Sequence, residues 1–159
     1  MEEHLKYTHI LVPVDGSAQS LYAVRLTGIL ASVLHATVYL LYISPFDKST
    51  DEGDVSWLPE SVVRPAAEEA YEIFSDAQSL LPDTVRAECV HRAGIPLDEI
   101  LRFIDEERIE LVVIGGRKLS RVSGFLLGSV TQAVLEHAHC NVMVAGESSC
   151  IHNGSCSVK

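Results

Sequence analysis

Short apolar runs rich in β-branched residues alternate along this chain with longer segments of helical spacing. The runs are His9 to Val14, Thr37 to Ile43, Val85 to Arg92, Leu111 to Ile114 and Asn141 to Ala145. Such runs are typical of strands, whereas apolar residues three or four positions apart are typical of helices. Strands that alternate with helices predict a parallel sheet covered by helices on both faces.

The first two helices are predicted on either side of the second strand. The first helix is expected after Asp15-Gly16-Ser17, with Ser17 as its N-cap. An acidic, proline-containing segment from Ser44 to about Glu60 is predicted to be a loop. The second helix is then expected from Glu60 to Leu81, where Pro82-Asp83 ends it.

Two further helices are predicted in the second half of the chain. Gly94-Ile95-Pro96 turns the chain into the third helix, with Pro96 near its first turn. The apolar face of this helix consists of Leu97, Ile100, Leu101 and Ile104. The fourth helix is expected from Ser129 to Ala138. The small, polar segment 147–159 is expected to be a disordered tail, which leaves one domain over residues 1–146.

The chain is acidic, and this narrows its partners. It carries 12 lysines and arginines against 22 aspartates and glutamates, a formal net charge of -10. Such a charge repels the nucleic-acid backbone, so general nucleic-acid binding is not expected.

The sequence also provides expectations about the location of the protein, the state of its cysteines and metal binding. No apolar run reaches the roughly 20 residues that a membrane span needs, and the start lacks a secretory signal, so a cytoplasmic protein is expected. Cys89, Cys140, Cys150 and Cys156 fit no tight disulfide framework and are expected to be thiols. His137, His139 and Cys140 match no standard zinc spacing, so no metal site is predicted from them.

The strongest candidate site is the glycine-containing segment between the fourth strand and the fourth helix. It begins with Gly115-Gly116-Arg117-Lys118 and ends with Gly128-Ser129. Glycines let backbone N–H groups approach an anion, and the N-terminus of a helix favours negative charge. Arg117, Lys118 and Arg121 make the segment locally basic in an acidic protein. We therefore predict a phosphate-binding loop, although Ser129 as a simple helix cap is the alternative.

Other strand ends are expected to lie beside this loop. Ligands of open parallel sheets bind beyond the carboxyl ends of the strands, where the strand order reverses. Asp15, Ser44 and Gly115 each follow a predicted strand at that end. The sequence thus predicts that three loops converge on one crevice.

Three motifs in order resemble the universal stress protein family. They are the stretch from His9 to Ser17, the turn Gly94-Ile95-Pro96 followed by Ile100, and the stretch from Gly115 to Ser129. The last resembles the family's nucleotide loop, G-x2-G-x9-G-[ST], except that Lys118 stands at the second glycine position. The resemblance covers roughly residues 6 to 146.

The resemblance implies an α/β fold with strand order 3-2-1-4-5 and a homodimer that pairs the last strands, Asn141 to Ala145. It also implies ATP, with Mg²⁺ or Mn²⁺, bound between the ends of strands one, two and four; AMP and cyclic AMP are alternative ligands. Asp15 and the backbone around Pro13 and Ile43 would hold adenine and ribose. The residues implied to cradle the phosphates are Gly115, Gly116, Arg117, Lys118, Arg121, Gly128, Ser129 and Val130.

Two common catalytic motifs are missing from the sequence. It contains neither the G-x4-G-K-[ST] pattern of P-loop enzymes nor the G-x-S-x-G pattern of serine hydrolases. We therefore predict a nucleotide-binding stress-response or signalling module without robust catalysis, at most a weak ATPase. The alternative is a nucleotide-independent dimeric interaction module.

Overall fold

Five parallel strands form the centre of the molecule. They are β1 (His9–Pro13), β2 (Thr37–Ser44), β3 (Ala87–Ala93), β4 (Leu111–Gly115) and β5 (Asn141–Ala145). The order across the sheet is β3-β2-β1-β4-β5, and every neighbouring pair is parallel. The computed structural model describes residues 6–44, 65–116 and 128–146. The predicted fold class and strand order are confirmed.

Helices cover both faces of this sheet. In the described ranges they are α1 (Ala18–Leu34), α2 (Pro65–Ser79), α3 (Pro96–Glu106) and α4 (Ser129–His137). Helices α1 and α2 pack on one face, where Ile10 and Val12 of β1 point. Helices α3 and α4 pack on the other, where Leu11 points. Because successive side chains of a strand point to opposite faces, the continuous apolar run of β1 supplies both cores.

The predicted boundaries hold to within a few residues, and local hydrogen bonds explain the differences. Ser17 is confirmed as the N-cap of α1, since its side chain accepts from the Ser20 N–H. Helix α2 ends at Ser79 rather than Leu81, because Leu80 donates to the carbonyl three residues back and so leaves the α-helical pattern. Strand β3 starts at Ala87 rather than Val85, whose N–H closes a turn onto the Pro82 carbonyl.

Some predictions fall on residues that the structure does not describe. These are the loop between β2 and α2, the first residues of the predicted second helix, and the tail 147–159. The described helices include none that is long and apolar enough to cross a membrane. Residues 6–44, 65–116 and 128–146 contain no group of three histidine, cysteine, aspartate or glutamate side chains placed to hold a metal ion.

The Glu110 side chain forms hydrogen bonds with the start of β1, at the end of the sheet opposite the predicted crevice. Its carboxylate accepts the N–H groups of Thr8 and His9, each at 2.7 Å, and the Thr8 hydroxyl at 2.8 Å. Burial alone would raise the pKa of Glu110, but these hydrogen bonds outweigh it and hold the pKa below its ordinary value of 4.5. The carboxylate form is therefore the one that joins β1 to the segment before β4.

Replacing Glu110 by Gln should destabilise the fold by about 1–2 kcal/mol at about pH 7, because charge-assisted hydrogen bonds become neutral or are lost. A glutamate whose pKa is depressed by folding stabilises above its ordinary pKa and loses that contribution as the pH falls through the folded-state pKa. In urea unfolding, the difference between wild type and variant should therefore shrink as the pH falls below 4.5. The control is Glu72→Gln, an exposed residue of α2. An equal loss in both variants would contradict this role.

Candidate functional site

A tight turn joins β1 to α1 and presents a carboxylate at the end of the sheet. Asp15 Oδ1 accepts the Ser17 N–H at 2.9 Å, and Ser17 Oγ accepts the Ser20 N–H at 3.2 Å. Gly16 has a φ of 77°, and a Cβ there would lie 3.2 Å from Ile73 Cγ1. Asp15, Gly16 and Ser17 thus form a turn whose central position favours glycine, because its φ is positive and a side chain there would crowd Ile73.

Asp15 is ionised in this turn. Burial would raise the pKa of its carboxyl group, but hydrogen bonds from the Ser17 side chain and backbone, among others, lower it below the ordinary value. An ionised carboxylate accepts hydrogen bonds and repels phosphate. It therefore suits hydroxyl or amino groups of a ligand.

Gly115, the last residue of β4, lies against the backbone of α1. A Cβ built on Gly115 would lie 2.6 Å from both the carbonyl carbon and oxygen of Gln19. Its φ is not in the left-handed region, so the close contact is what requires glycine here. The Gly115 carbonyl accepts a hydrogen bond from Thr131 Oγ1 at 3.2 Å. Gly115 thus touches both the start of α1 and the start of α4.

Helix α4 begins without a side-chain cap. Its N-cap is Gly128, with φ -58° and ψ 151°. The first hydrogen bond of the helix runs from the Gln132 N–H to the Gly128 carbonyl. The alternative that Ser129 caps this helix is wrong, because Ser129 is already its first residue. A Cβ on Gly128 would meet no atom of the described residues within 4 Å. Among the residues that the structure describes, no side chain caps the first N–H groups of α4, which suits them to bind an anion.

An apolar cavity of about 210 Å³ lies at the carboxyl ends of β1, β2 and β4. We call it the base cavity. Its lining is mostly aliphatic, and α3 contributes Pro96 and Ile100 to it. The lining residues are Pro13, Val14, Asp15, Ser17, Ser20, Leu41, Ile43, Pro96, Ile100, Ile114, Gly115, Val130 and Thr131.

A second cavity of about 390 Å³ adjoins it between the first turns of α1 and α4. We call it the anion cavity. It is lined by Asp15, Ser17, Gln19, Gly115, Gly128, Ser129, Val130 and Thr131. The two cavities share five lining residues and therefore form one cleft with an apolar and a polar end. The shared residues are Asp15, Ser17, Gly115, Val130 and Thr131.

The cleft brings most of the predicted site residues together. Pro13, Asp15, Ile43, Gly115 and Val130 line the base cavity, and Gly128 and Ser129 line the anion cavity. Gly116 is buried and its N–H donates to the Ala145 carbonyl at 2.9 Å, so this donor is already used in the sheet. Arg117, Lys118 and Arg121 lie outside the described residues.

Sequence reasoning missed several lining residues. Gln19 and Thr131 lie in the first turns of helices, where helical spacing marks no special role. The sequence places Pro96 and Ile100 at the start and on the apolar face of the third helix and in a motif of the family, without a role in the site, whereas in the structure both line the base cavity. Their position after a turn at the end of a strand is the signal that points to the cleft.

A serine–histidine pair lies outside this cleft. Ser44 Oγ is 2.9 Å from His91 Nε2, but neither residue lines the base cavity or the anion cavity. Ser44 is buried at the end of β2, so its hydroxyl is shielded from a substrate. The described lining of the cleft offers hydrogen-bond groups and apolar surface, which suits binding.

The two glycines of the cleft should respond differently to alanine. Gly115→Ala should lose about 1–3 kcal/mol, because the methyl group would overlap the Gln19 backbone. Gly128→Ala should lose less than about 1 kcal/mol, because the methyl group enters open space. Thermal and urea unfolding of both variants measures this, and equal losses would show that the contact at Gly115 is not the constraint.

Comparison with known sequences identifies relatives over nearly the whole chain. The model of the universal stress protein family matches residues 6–146. A universal stress protein of Methanocaldococcus jannaschii is 32% identical over 142 residues, covering 87% of this chain and 81% of the relative. One from Mycobacterium tuberculosis is 30% identical over 144 residues, covering 87% of this chain and 95% of the relative.

Solved structures share the fold. The universal stress protein UspA from Lactobacillus plantarum has a TM-score of 0.73 at 25% identity, covering 89% of this chain and 99% of that one. The universal stress protein from Archaeoglobus fulgidus in complex with dAMP has a TM-score of 0.63 at 25% identity, covering 88% and 98%. With a family match over residues 6–146, this chain belongs to the universal stress protein family.

Proposed function

We propose that this chain binds an adenine nucleotide in the cleft and acts as a cytoplasmic stress-response or signalling module without robust catalysis. The observation that carries the proposal is the uncapped N-terminus of α4 beside an apolar cavity at the strand ends. A family member from Archaeoglobus fulgidus has been solved with dAMP. Others of the same fold have been solved with cAMP and AMP, at 24% and 18% identity.

The two ends of the cleft suit the two ends of a nucleotide. The base would enter the base cavity between Ile43, Ile100 and Val130 and bury apolar surface there. The phosphate would lie in the anion cavity, at the free N–H groups of Ser129 and Val130. The Asp15 carboxylate borders both cavities and would accept a hydrogen bond from the ribose or the base.

A triphosphate would bring a divalent cation with it. Mg²⁺ is usually held by one or two carboxylates together with substrate phosphates. Asp15 is the carboxylate that borders the anion cavity, and its Oδ1 already accepts the Ser17 N–H. We therefore propose that Mg²⁺ or Mn²⁺ would be held mainly by ATP, with Asp15 as a protein ligand.

Titration by calorimetry tests this function. ATP with Mg²⁺, AMP, cyclic AMP and adenosine are compared on the full chain. Gly128→Val should weaken phosphate-containing ligands at least about tenfold, because the side chain would occupy the space that a phosphate needs. The matched control is Ser79→Val, which adds bulk to a cavity of similar size, about 380 Å³, between α1 and α2.

The absence of heat for all four ligands at millimolar concentration would overturn the proposal. It would leave the nucleotide-independent interaction module as the better function. Equal weakening in Gly128→Val and Ser79→Val would place the ligand elsewhere on the protein.

We also propose a homodimer through β5, supported by the different chemistry of the two sheet edges. The β3 edge carries Glu88, His91 and Arg92, and charged side chains protect an edge strand from pairing. The β5 edge reads Asn-Val-Met-Val-Ala, without a charge, and Met143 on it is exposed. An uncharged edge of this kind favours pairing with the same edge of a second copy.

Sedimentation velocity at micromolar concentration tests the dimer. The wild type should sediment as a dimer, and Met143→Lys should shift it to monomer, because a lysine on an edge strand opposes pairing. Cys89→Lys is the matched control, since Cys89 is exposed on the β3 edge. A monomeric wild type, or an unchanged Met143→Lys dimer, would contradict the proposal.

A further inference from the structure

Thr131 joins the first turn of α4 to the end of β4. It is the third residue of the helix and is buried, with 6% of its surface exposed. Its Oγ1 donates to the Gly115 carbonyl at 3.2 Å. This bond connects residues that are 16 positions apart, across a segment outside the described residues.

The acceptor of this bond is held in place from its other side. Gly115 packs so closely on α1 that a Cβ would lie 2.6 Å from the Gln19 carbonyl. The Gly115 carbonyl is therefore a fixed point between α1 and α4. Because Thr131 hydrogen-bonds to this carbonyl, the orientation of the first turn of α4 is fixed relative to Gly115.

The direction of α4 matters because its N–H groups have no side-chain cap. Ser129 and Val130, the residues just before Thr131, carry N–H groups at the anion cavity. A hydrogen bond to an anion depends steeply on donor angle and distance. A small rotation of this first turn would therefore misalign the donors.

We infer that Thr131 is a positioning residue for the phosphate of the bound nucleotide. Its hydroxyl group sets the orientation of the α4 N-terminus relative to Gly115, and the residue borders both cavities of the cleft. The inference rests on the proposed function. It adds a residue that discriminates phosphate-containing ligands from the bare nucleoside.

The test compares three variants by calorimetry, with AMP and adenosine as ligands. Thr131→Val keeps the shape and removes the hydroxyl, so it should weaken AMP about 3- to 10-fold, the range of one net hydrogen bond, and adenosine less than about twofold. Thr131→Ser keeps the hydroxyl and should restore AMP affinity. Thr27→Val is the matched control, because buried Thr27 donates to the Ala23 carbonyl at 2.8 Å within α1.

The outcomes separate this inference from the proposed function. If the wild type binds neither ligand, the proposed function fails. If the wild type binds AMP and Thr131→Val binds it equally well, the inference fails and the function stands. If Thr131→Val weakens AMP and adenosine alike, or Thr27→Val lowers AMP affinity as much, the hydroxyl has only a structural role. Unfolding temperatures of all variants show that each is folded at the titration temperature.

Discussion

The arrangement of the cleft depends on the close contact between the α1 backbone and Gly115. A side chain at Gly115 would push α1 away from β4, because its Cβ would overlap the Gln19 backbone at 2.6 Å. The contact brings the Asp15 turn beside the start of α4, so a carboxylate and free N–H groups border the same cavity. The cleft is thus a consequence of packing between α1 and two elements, β4 and α4, that lie far from it in the sequence.

Two groups with opposite electrostatic effects border the anion cavity, the Asp15 carboxylate and the N-terminus of α4. Asp15 is ionised because hydrogen bonds from Ser17 outweigh its burial, and it disfavours a phosphate placed directly beside it. The α4 N-terminus favours negative charge. An anionic ligand that also carries hydroxyl or amino groups can interact favourably with both groups, whereas inorganic phosphate can do so only with the α4 N-terminus. This asymmetry favours nucleotides over simple anions.

The sequence was sufficient to predict the strands and the turn at Asp15, because these depend on local patterns. The order of the strands is a long-range property, and it was predicted from the family resemblance alone. Helix ends such as Ser79 depend on single competing hydrogen bonds, and the pattern of apolar residues does not resolve them. Contributions such as Ile100 and Thr131 to the cleft depend on the packing of α3 and α4. Only the three-dimensional arrangement reveals which helix face reaches the strand ends.

The two outer glycines of the predicted nucleotide loop carry different information about function. Gly115 is required by its contact with α1, so a chain of this fold would need it whether or not it binds a ligand. Gly128 has an ordinary φ and open space around it within the described residues, so packing there does not require glycine. Its lack of a side chain leaves the anion cavity open at the start of α4. The glycine at position 128, more than the one at 115, therefore supports nucleotide binding by this chain.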